Sequence, residues 1–335
     1  MIHVPRHYVP RHCGAKLGAA LGRRPPAGPK PAKPERLTVV NPRAVSWPGS
    51  RAANLANRFL LGRQLRDAVA QNSSGAPIFW TSLPTAAPLI GAFPHGPVVY
   101  YCGDDFSALA GVDHAPVARL ERELVARADL ILVASEALAE RFPAARTRLI
   151  PHGVDFDLFS KDTAPAADLP RNGPVAGFYG SLADWIDVEM LAQCARTMPD
   201  WTFVLIGDVQ TNVSPLAGLG NVQLLGPRPH KSLPSYSQHW TVSLLPFRDT
   251  PQIQACNPLK LREYLAAGTP VASMDFPALA PYRDLVSHTS DPSAFAETIR
   301  RAAEDAANAP ARRARVAAES WDARAAQVAA LLETL

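Results

Sequence analysis

The sequence predicts an α/β protein with two Rossmann-like domains, each built on a parallel sheet. Three observations predict it: short β-like runs alternate with helical patterns, the alternation occurs in two successive series, and a stretch of turn formers separates the series. With 335 residues, 47% of them hydrophobic, the chain is long enough to bury two cores.

The first series begins at residue 37. Its strand-like runs are "LTVV", "PIFW", "PVVYY" and "LILVAS", and its helical patterns lie at about 51–70, 114–127 and 135–142. Because strands and helices alternate, they predict a parallel sheet with crossover helices. We expect this first domain to occupy residues 37–155.

The second series begins near residue 174, and its strand-like runs are "PVAGFYG", "WTFVLIG", "NVQLLG", "WTVSLLPF", "TPVASMD" and "RDLVSH". The stretch "PHGVDFDLFSKDTAPAADLPRNG" before it mixes turn formers with charge and shows little hydrophobic period, which is typical of a connection between domains. We expect the second domain at residues 156–318. The amphipathic segment at 319–335 predicts a final helix that packs back toward the first domain.

Residues 1–36 form a basic segment rich in proline, in which Glu35 is the only acid. The segment lacks the continuous apolar core of a signal peptide, so secretion is not expected. It is interpreted either as a flexible linker or as a segment that contacts a membrane surface or an acceptor.

Composition excludes several other classes of protein. No apolar run is long enough for a membrane-spanning helix. The four cysteines are far apart and show neither paired spacing nor a nearby histidine cluster, so neither a zinc site nor a disulfide framework is predicted. A reducing cytoplasm is the compartment that fits this cysteine usage.

The stretch "NPLKLREYLAAGTPVASMDFP" predicts a helix followed by a strand. Asn257 is expected to cap the helix, Pro258 to occupy its first position and Gly268 to end it in a left-handed conformation. The first-turn N–H groups and Lys260 would then form a positive site suited to phosphate, with Glu263 one turn further on to accept bonds from hydroxyls. The alternative interpretation is a surface Lys–Glu pair.

Ligands of open α/β sheets bind beyond the carboxyl ends of the strands, so the residues that follow each strand are candidates. "GFYGSLADW" contains Gly177, Gly180 and Ser181, where the backbone either approaches a phosphate or only turns. Arg228 in "LLGPRPH" and Arg248 in "LLPFRDT" are either phosphate donors or solvated arginines.

Two adjacent carboxylates follow a strand of the first series, in "VVYYCGDDFSAL". Asp104 or Asp105 is a candidate general base, and the alternative is that both form a turn or cap a helix. They lack the Asp-x-Asp spacing of a metal-dependent sugar-nucleotide site. His152 in "IPHGVD" is interpreted as a structural turn residue.

Six segments, in this order and with similar spacing, resemble the GT-B glycosyltransferases: "YYCGDD", "ADLILVASEALAERF", "IPHGVDFDLF", "FYGSLADWIDVEML", "NVQLLGPRP" and "NPLKLREYLAAGTPV". Within that class, the chain is similar to the bacterial group that builds surface polysaccharides, including enzymes of the teichuronic-acid type. The resemblance runs from about residue 37 to the C-terminus.

The resemblance implies a separate role for each domain. The second domain would bind the nucleotide of a nucleotide diphosphate sugar, with Glu263 on the ribose hydroxyls and Lys260 on the diphosphate. Asp104 or Asp105, facing the donor across the cleft, would be the base for the acceptor hydroxyl. The other residues expected at the donor are Gly180, Ser181, Arg228, Arg248 and Asn257.

The chain departs from the family pattern in two places. Many relatives carry a glutamate eight residues before the ribose glutamate, whereas this chain has Ala255 there, so sugar recognition must be achieved otherwise. The usual first strand, glycine loop and helix are replaced by the basic segment, which implies an N-terminal domain that lacks its first βα unit.

The predicted function is a metal-independent transfer of a sugar to a hydroxyl of a glycan or lipid-linked glycan, in surface polysaccharide synthesis. No cofactor, no metal and no nucleic acid partner are expected, and the predicted location is cytoplasmic with peripheral contact at the inner face of the membrane. One alternative is a sugar-nucleotide 2-epimerase of the same architecture, which would need no acceptor. Another is a non-catalytic relative that binds sugar nucleotides or glycans without turnover.

Overall fold

A computed structural model describes residues 2–3, 37–40, 43, 45, 51–109 and 113–335. Within these residues the chain forms two compact units. The first contains the chain as far as Cys102, together with Phe106–Leu132 and Ala145–Thr147. The second contains Gly103–Asp105, Val133–Ala144 and Arg148–Leu335. The domain limits predicted from sequence, 37–155, 156–318 and 319–335, stay a prediction.

The first series of elements begins with a short parallel pair, β1 (Ile2–His3) with β2 (Thr38–Val39). The remaining elements are α1 (Arg51–Asn72), β3 (Phe79–Thr81), β4 (Val98–Cys102), α2 (His114–Arg127), β5 (Leu130–Val133), α3 (Glu136–Ala139) and β6 (Thr147–Leu149). Strands β3 to β6 form a four-stranded sheet in that order, and β3 pairs with β4 in parallel. Most of the basic segment 1–36 lies outside the described residues, and with it the prediction of a missing first βα unit.

The second unit contains the larger sheet. Its strands are β7 (Val175–Tyr179), β8 (Thr202–Ile206), β9 (Val222–Leu224), β10 (Val242–Leu245), β11 (Val271–Met274) and β12 (Ser287–Thr289). Its helices are α4 (Phe156–Ser160), α5 (Val188–Thr197), α6 (Pro234–Ser237), α7 (Pro251–Ala255), α8 (Leu259–Ala267), α9 (Phe295–Glu304), α10 (Ala309–Val316) and α11 (Trp321–Leu332). The two sheets are separate, which confirms the predicted α/β architecture.

The order of the larger sheet creates a switch point between β7 and β10. The strands lie in the order β12-β11-β10-β7-β8-β9, and all five pairings are parallel. The chain therefore winds outward in one direction from β7 and in the other direction from β10. Crevices beyond the carboxyl ends of strands at such a point are the usual ligand sites of open α/β sheets.

Helix α8 packs into the core of the second unit through its apolar face, next to the end of β7. Leu261, Tyr264 and Leu265 are fully buried, as their three- and four-residue spacing predicts. The backbone N–H of Tyr179, at the end of β7, donates to the Tyr264 hydroxyl at 3.2 Å. Gly268 ends the helix with φ +83°, which confirms the predicted left-handed cap.

The structure differs from the sequence-based elements mainly at their ends. Helix α2 has the predicted limits, α3 is shorter than predicted, and β6 was not predicted at all. This short strand lies at the edge of the sheet beside β5, and two of its three residues are exposed, so it lacks the apolar run that would predict it. Among the described residues, no helix combines the length and the apolar character needed to cross a bilayer.

Candidate functional site

The loop after β7 and the first turn of α8 meet at Gly180 and Lys260. Gly180 has φ +132°, and a Cβ atom placed on it would stand 2.1 Å from Cε of Lys260. Its N–H donates to Ile206 O at 2.8 Å, at the end of the neighbouring strand β8. A side chain at this position would therefore displace the lysine, so Gly180 is required by close approach as well as by its backbone conformation.

The other glycine of this motif has a different role. A Cβ atom on Gly177 would stand 1.8 Å from the Trp240 ring, so Gly177 allows the tryptophan to pack against β7. Gly207, at the exit of β8, was not predicted as a site residue. A Cβ on it would stand 2.0 Å from Gly180 O, so the two strand exits pack backbone against backbone. Ser181 follows Gly180 and is half-buried.

The ammonium group of Lys260 lies at the centre of the site. Its Nζ is 5.7 Å from the centroid of the Phe178 ring, within range of a cation–π interaction. Burial lowers the pKa of Lys260, although Glu263 and Cys256 act in the opposite direction. Within the described part of the chain, Lys260 has no ion pair and no side-chain hydrogen bond. A half-buried cation that forms no ion pair and no hydrogen bond is suited to bind an anion.

The start of α8 differs from the prediction by one residue. Pro258, rather than Asn257, is the N-cap, and no side chain of a described residue caps the helix. Asn257 accepts a hydrogen bond from Arg262 Nη1 at 2.6 Å through its Oδ1, and its carbonyl accepts one from His152 Nδ1 at 2.8 Å. Because the arginine occupies the amide oxygen, the N–H groups of the first turn stay available to a ligand.

Glu263 is buried on the next turn of α8, with 3% of its surface exposed. Its Oε1 accepts a hydrogen bond from His230 Nε2 at 2.8 Å, and the bonded histidine side chain is 52% exposed. Lys260 and Glu263 form no ion pair with each other, so the interpretation as a surface pair is wrong. His230 was missed by sequence reasoning, because it lies 33 residues from its partner and no local pattern connects them.

The bond to Glu263 raises the pKa of His230 above its ordinary value of 6.5, with smaller help from the charges of Glu263 and Asp155. We therefore expect protonation of His230 to stabilise the fold. This contribution is complete below the unfolded-state pKa of about 6.5 and is lost as pH rises through the higher pKa of the folded state.

We expect His230→Gln to lower the free energy of unfolding at about pH 5.5, by a few tenths to about 1 kcal/mol, since solvent screens a half-exposed pair. The effect at about pH 9 should be smaller. Urea unfolding at the two pH values measures both. An equal loss at both values would show that protonation of His230 does not stabilise the fold.

The two predicted phosphate donors are held by carboxylates. Arg228 donates to Asp168 Oδ2 at 2.8 Å, to the Tyr236 hydroxyl at 3.1 Å and to Leu225 O at 2.7 Å. Arg248 pairs with Glu189 and donates to a backbone carbonyl at the start of α5. The structure does not bring either arginine together with Lys260, and their part in donor binding stays a prediction.

Asp104 and Asp105 have different environments. Asp105 forms an ion pair with Arg141. Burial lowers the pKa of His152, and the Asp104 carboxylate opposes this with a smaller effect. Burial also raises the pKa of Cys256 to about 12, and the Asp104 carboxylate adds to that rise. Asp104 therefore acts on the residues that precede α8, in the same unit as Lys260.

Arg262 anchors α8 from its far side. The side chain is buried, and its Nε donates to Glu319 Oε2 at 2.7 Å. Glu319 also accepts from the Tyr282 hydroxyl at 2.8 Å. This network orients the helix on which Lys260 and Glu263 lie. No cluster of three potential metal ligands occurs in the described ranges.

Part of the chain is similar to known proteins. Residues 173–305 match the model of a family described as glycosyl transferases group 1. Over 220 residues the chain is 30% identical to TuaH of Bacillus subtilis (strain 168), whose name assigns it to teichuronic acid biosynthesis as a glycosyltransferase. The match covers 59% of this chain and 55% of TuaH, so the chain spans about half the length of this curated relative.

Solved structures share the fold. Sucrose-phosphate synthase from Thermosynechococcus elongatus superposes with a TM-score of 0.69 at 22% identity, over 88% of this chain and 82% of that protein. Anabaena HepE in complex with UDP superposes with a TM-score of 0.67 at 17% identity, over 89% of this chain and 86% of HepE. HepE has also been solved with UDP-glucose. These similarities confirm the GT-B fold that the sequence motifs predict.

Proposed function

We propose that this GT-B chain, with its glycosyl transferases group 1 domain at residues 173–305, transfers a sugar from a nucleoside diphosphate sugar to a hydroxyl. The observation that carries the proposal is Lys260. Its side chain lies against Gly180 at the sheet's switch point, burial lowers its pKa, and it forms no ion pair with a described residue. A diphosphate at the uncapped start of α8 would supply the missing negative charge.

Glu263 would hold the ribose of the donor. Its carboxylate lies one turn beyond Lys260 and is already oriented by His230. A buried carboxylate forms strong, charge-assisted bonds with hydroxyl groups, so it is suited to a vicinal diol. The ribose hydroxyls would bond this carboxylate beside His230 or in its place.

Two groups of residues would take part in the transfer. The bond between the anomeric carbon and the diphosphate oxygen breaks, and Lys260 with the first-turn N–H groups stabilises the charge that develops on the diphosphate. The acceptor oxygen forms the new bond to the anomeric carbon and loses its proton to a base, for which Asp104 is our candidate. Asp105, which is paired with Arg141, is the second candidate.

We propose a glycan or a lipid-linked glycan as the acceptor, in the synthesis of a surface polysaccharide. The similarity to TuaH supports this choice. A peripheral contact between the basic segment 1–36 and the inner face of the membrane is part of the same hypothesis, and this segment is almost wholly outside the described residues.

A thermal-shift screen against nucleoside diphosphates tests the donor, because a ligand that binds only the folded state raises the melting temperature. Uridine nucleotides come first, since HepE has been solved with UDP and UDP-glucose. Incubation of the best donor with and without glycan acceptors, in EDTA, then tests transfer. Failure of every nucleotide to stabilise the chain would refute the proposal, and turnover to an epimer without acceptor would replace it.

We expect Glu263→Ala to weaken donor binding about tenfold to a hundredfold, because it removes bonds worth about 1.5 to 3 kcal/mol each from the ribose. Isothermal calorimetry with the nucleotide found in the screen measures the change. The melting temperature is measured in parallel, because replacing the buried Glu263 also changes the stability of the fold.

A surface pair supplies the matched control. Glu297 is exposed and pairs with Arg300 at i, i+3, so Glu297→Ala removes the same group from a helix without touching the site. Nucleotide affinity should be unchanged in this variant. Unchanged affinity in a folded Glu263→Ala protein would exclude Glu263 from the donor site.

A further inference from the structure

Helix α1 carries a strongly exposed apolar pair that the proposed transfer does not use. Leu55 and Phe59, one turn apart, are 70% and 73% exposed. The same helix buries Leu65 and Val69 nearer its C-terminal end, whereas Leu55 and Phe59 stay exposed nearer its start. Apolar side chains exposed to this extent on one helical face indicate an interaction surface.

The apolar pair is surrounded by arginines. Arg58, Arg63 and Arg66 line an open groove of about 530 Å³ together with Leu55 and Phe59. Arg127 of α2 lies close to Arg58. A Cβ atom built on Gly91 would stand 3.3 Å from the guanidinium of Arg127 and 3.9 Å from that of Arg58.

The described residues do not neutralise the cations of this face. None of the four arginines forms an ion pair with a carboxylate of a described residue, and Asp67 is the acid that lines the groove. Arg66 Nη2 donates to Ala92 O at 3.2 Å, which leaves its charge uncompensated. The face therefore combines unpaired positive charge with exposed apolar surface.

The preceding described residues lie on a different face of α1. Asn57 exchanges two hydrogen bonds with the backbone of Val45, at 2.7 and 3.0 Å, and Gln64 exchanges two with that of Arg43, at 2.9 and 3.1 Å. These amides lie about half a turn from Leu55 and Phe59 on the helical wheel. The apolar pair is thus left open by the described chain before α1.

We propose that this face of α1, formed by Leu55, Arg58, Phe59, Arg63 and Arg66, docks on a bilayer that contains anionic phospholipids. Guanidinium groups bond phosphate with two parallel N–H donors, and the leucine and phenylalanine side chains enter the boundary between headgroups and acyl chains. Charge complementarity favours an anionic bilayer, because each arginine near the membrane surface adds to the binding free energy. This docking is independent of the donor site and can be tested without it.

Vesicle cosedimentation with the full chain tests the proposal. Vesicles of phosphatidylcholine with about one third phosphatidylglycerol should bind the protein, and pure phosphatidylcholine should bind it much less. We expect Leu55→Ser/Phe59→Ser to lower the partition coefficient roughly tenfold or more, and Arg58→Gln/Arg63→Gln to lower it about thirtyfold. Only the arginine contribution should weaken as salt is raised.

A matched variant controls for net charge. Arg171→Gln/Arg196→Gln removes two exposed arginines of the second unit, neither of which lines the groove, and should bind vesicles as the unchanged protein does. The proposal is overturned if the unchanged protein stays in solution, or if the control loses as much binding as Arg58→Gln/Arg63→Gln. Undiminished binding by both face variants would also overturn it and would assign membrane contact to another segment, such as residues 1–36.

Discussion

Asp104→Asn is expected to lower turnover by about two to four orders of magnitude, the usual contribution of general base catalysis, with donor affinity little changed. Asparagine keeps the size of the side chain but cannot accept the proton of the acceptor hydroxyl. The measurement is the rate of nucleoside diphosphate release from saturating donor and acceptor, with nucleotide affinity determined separately.

The adjacent residue is the control for this prediction. Asp105→Asn breaks the ion pair with Arg141, so it should reduce stability while most of the turnover persists. Full activity of Asp104→Asn would exclude Asp104 as the base. If only Asp105→Asn were inactive while still folded, the base would be Asp105 and the assignment made from the environments of the two carboxylates would be wrong.

Lys260→Met is expected to lower turnover about a hundredfold to a thousandfold while donor affinity falls by less than about tenfold. The negative charge on the diphosphate grows as the bond to the sugar breaks, so the ammonium is worth more in the transition state than in the bound donor. Methionine keeps most of the side-chain volume against Gly180 and Phe178. Single-turnover kinetics and calorimetry measure the two quantities.

The pH dependence of turnover gives a second test of Lys260. Burial lowers its pKa, so the free protein should lose this positive charge, and the catalysis that depends on it, at a lower pH than an exposed lysine would. The alkaline loss of turnover should be absent in Lys260→Met. Lys161→Met, which removes an exposed lysine elsewhere in the second unit, should behave as the unchanged protein. An unchanged turnover in Lys260→Met would refute the role of this residue.

The local sequence is enough to predict most elements of the fold and the helix that carries the candidate site. The limits of α2 and the left-handed end of α8 at Gly268 depend on hydrophobic spacing and on glycine, which act over a few residues. The buried strands β7, β10 and β11 are recognisable for the same reason, as short apolar runs bounded by turn formers. The ordered motifs also predict that the fold is of the GT-B type.

The partners of the charged side chains depend on how the strands are ordered in the sheet. Glu263 pairs with His230 across 33 residues and Arg228 with Asp168 across 60, and Lys260 packs on Gly180 only because β7 lies next to β10. A hydrogen bond is short and directional, so its partners are chosen by the positions of whole elements rather than by spacing along the chain. For the same reason Arg228 and Arg248, plausible phosphate donors from their loops, have carboxylate partners in the folded chain.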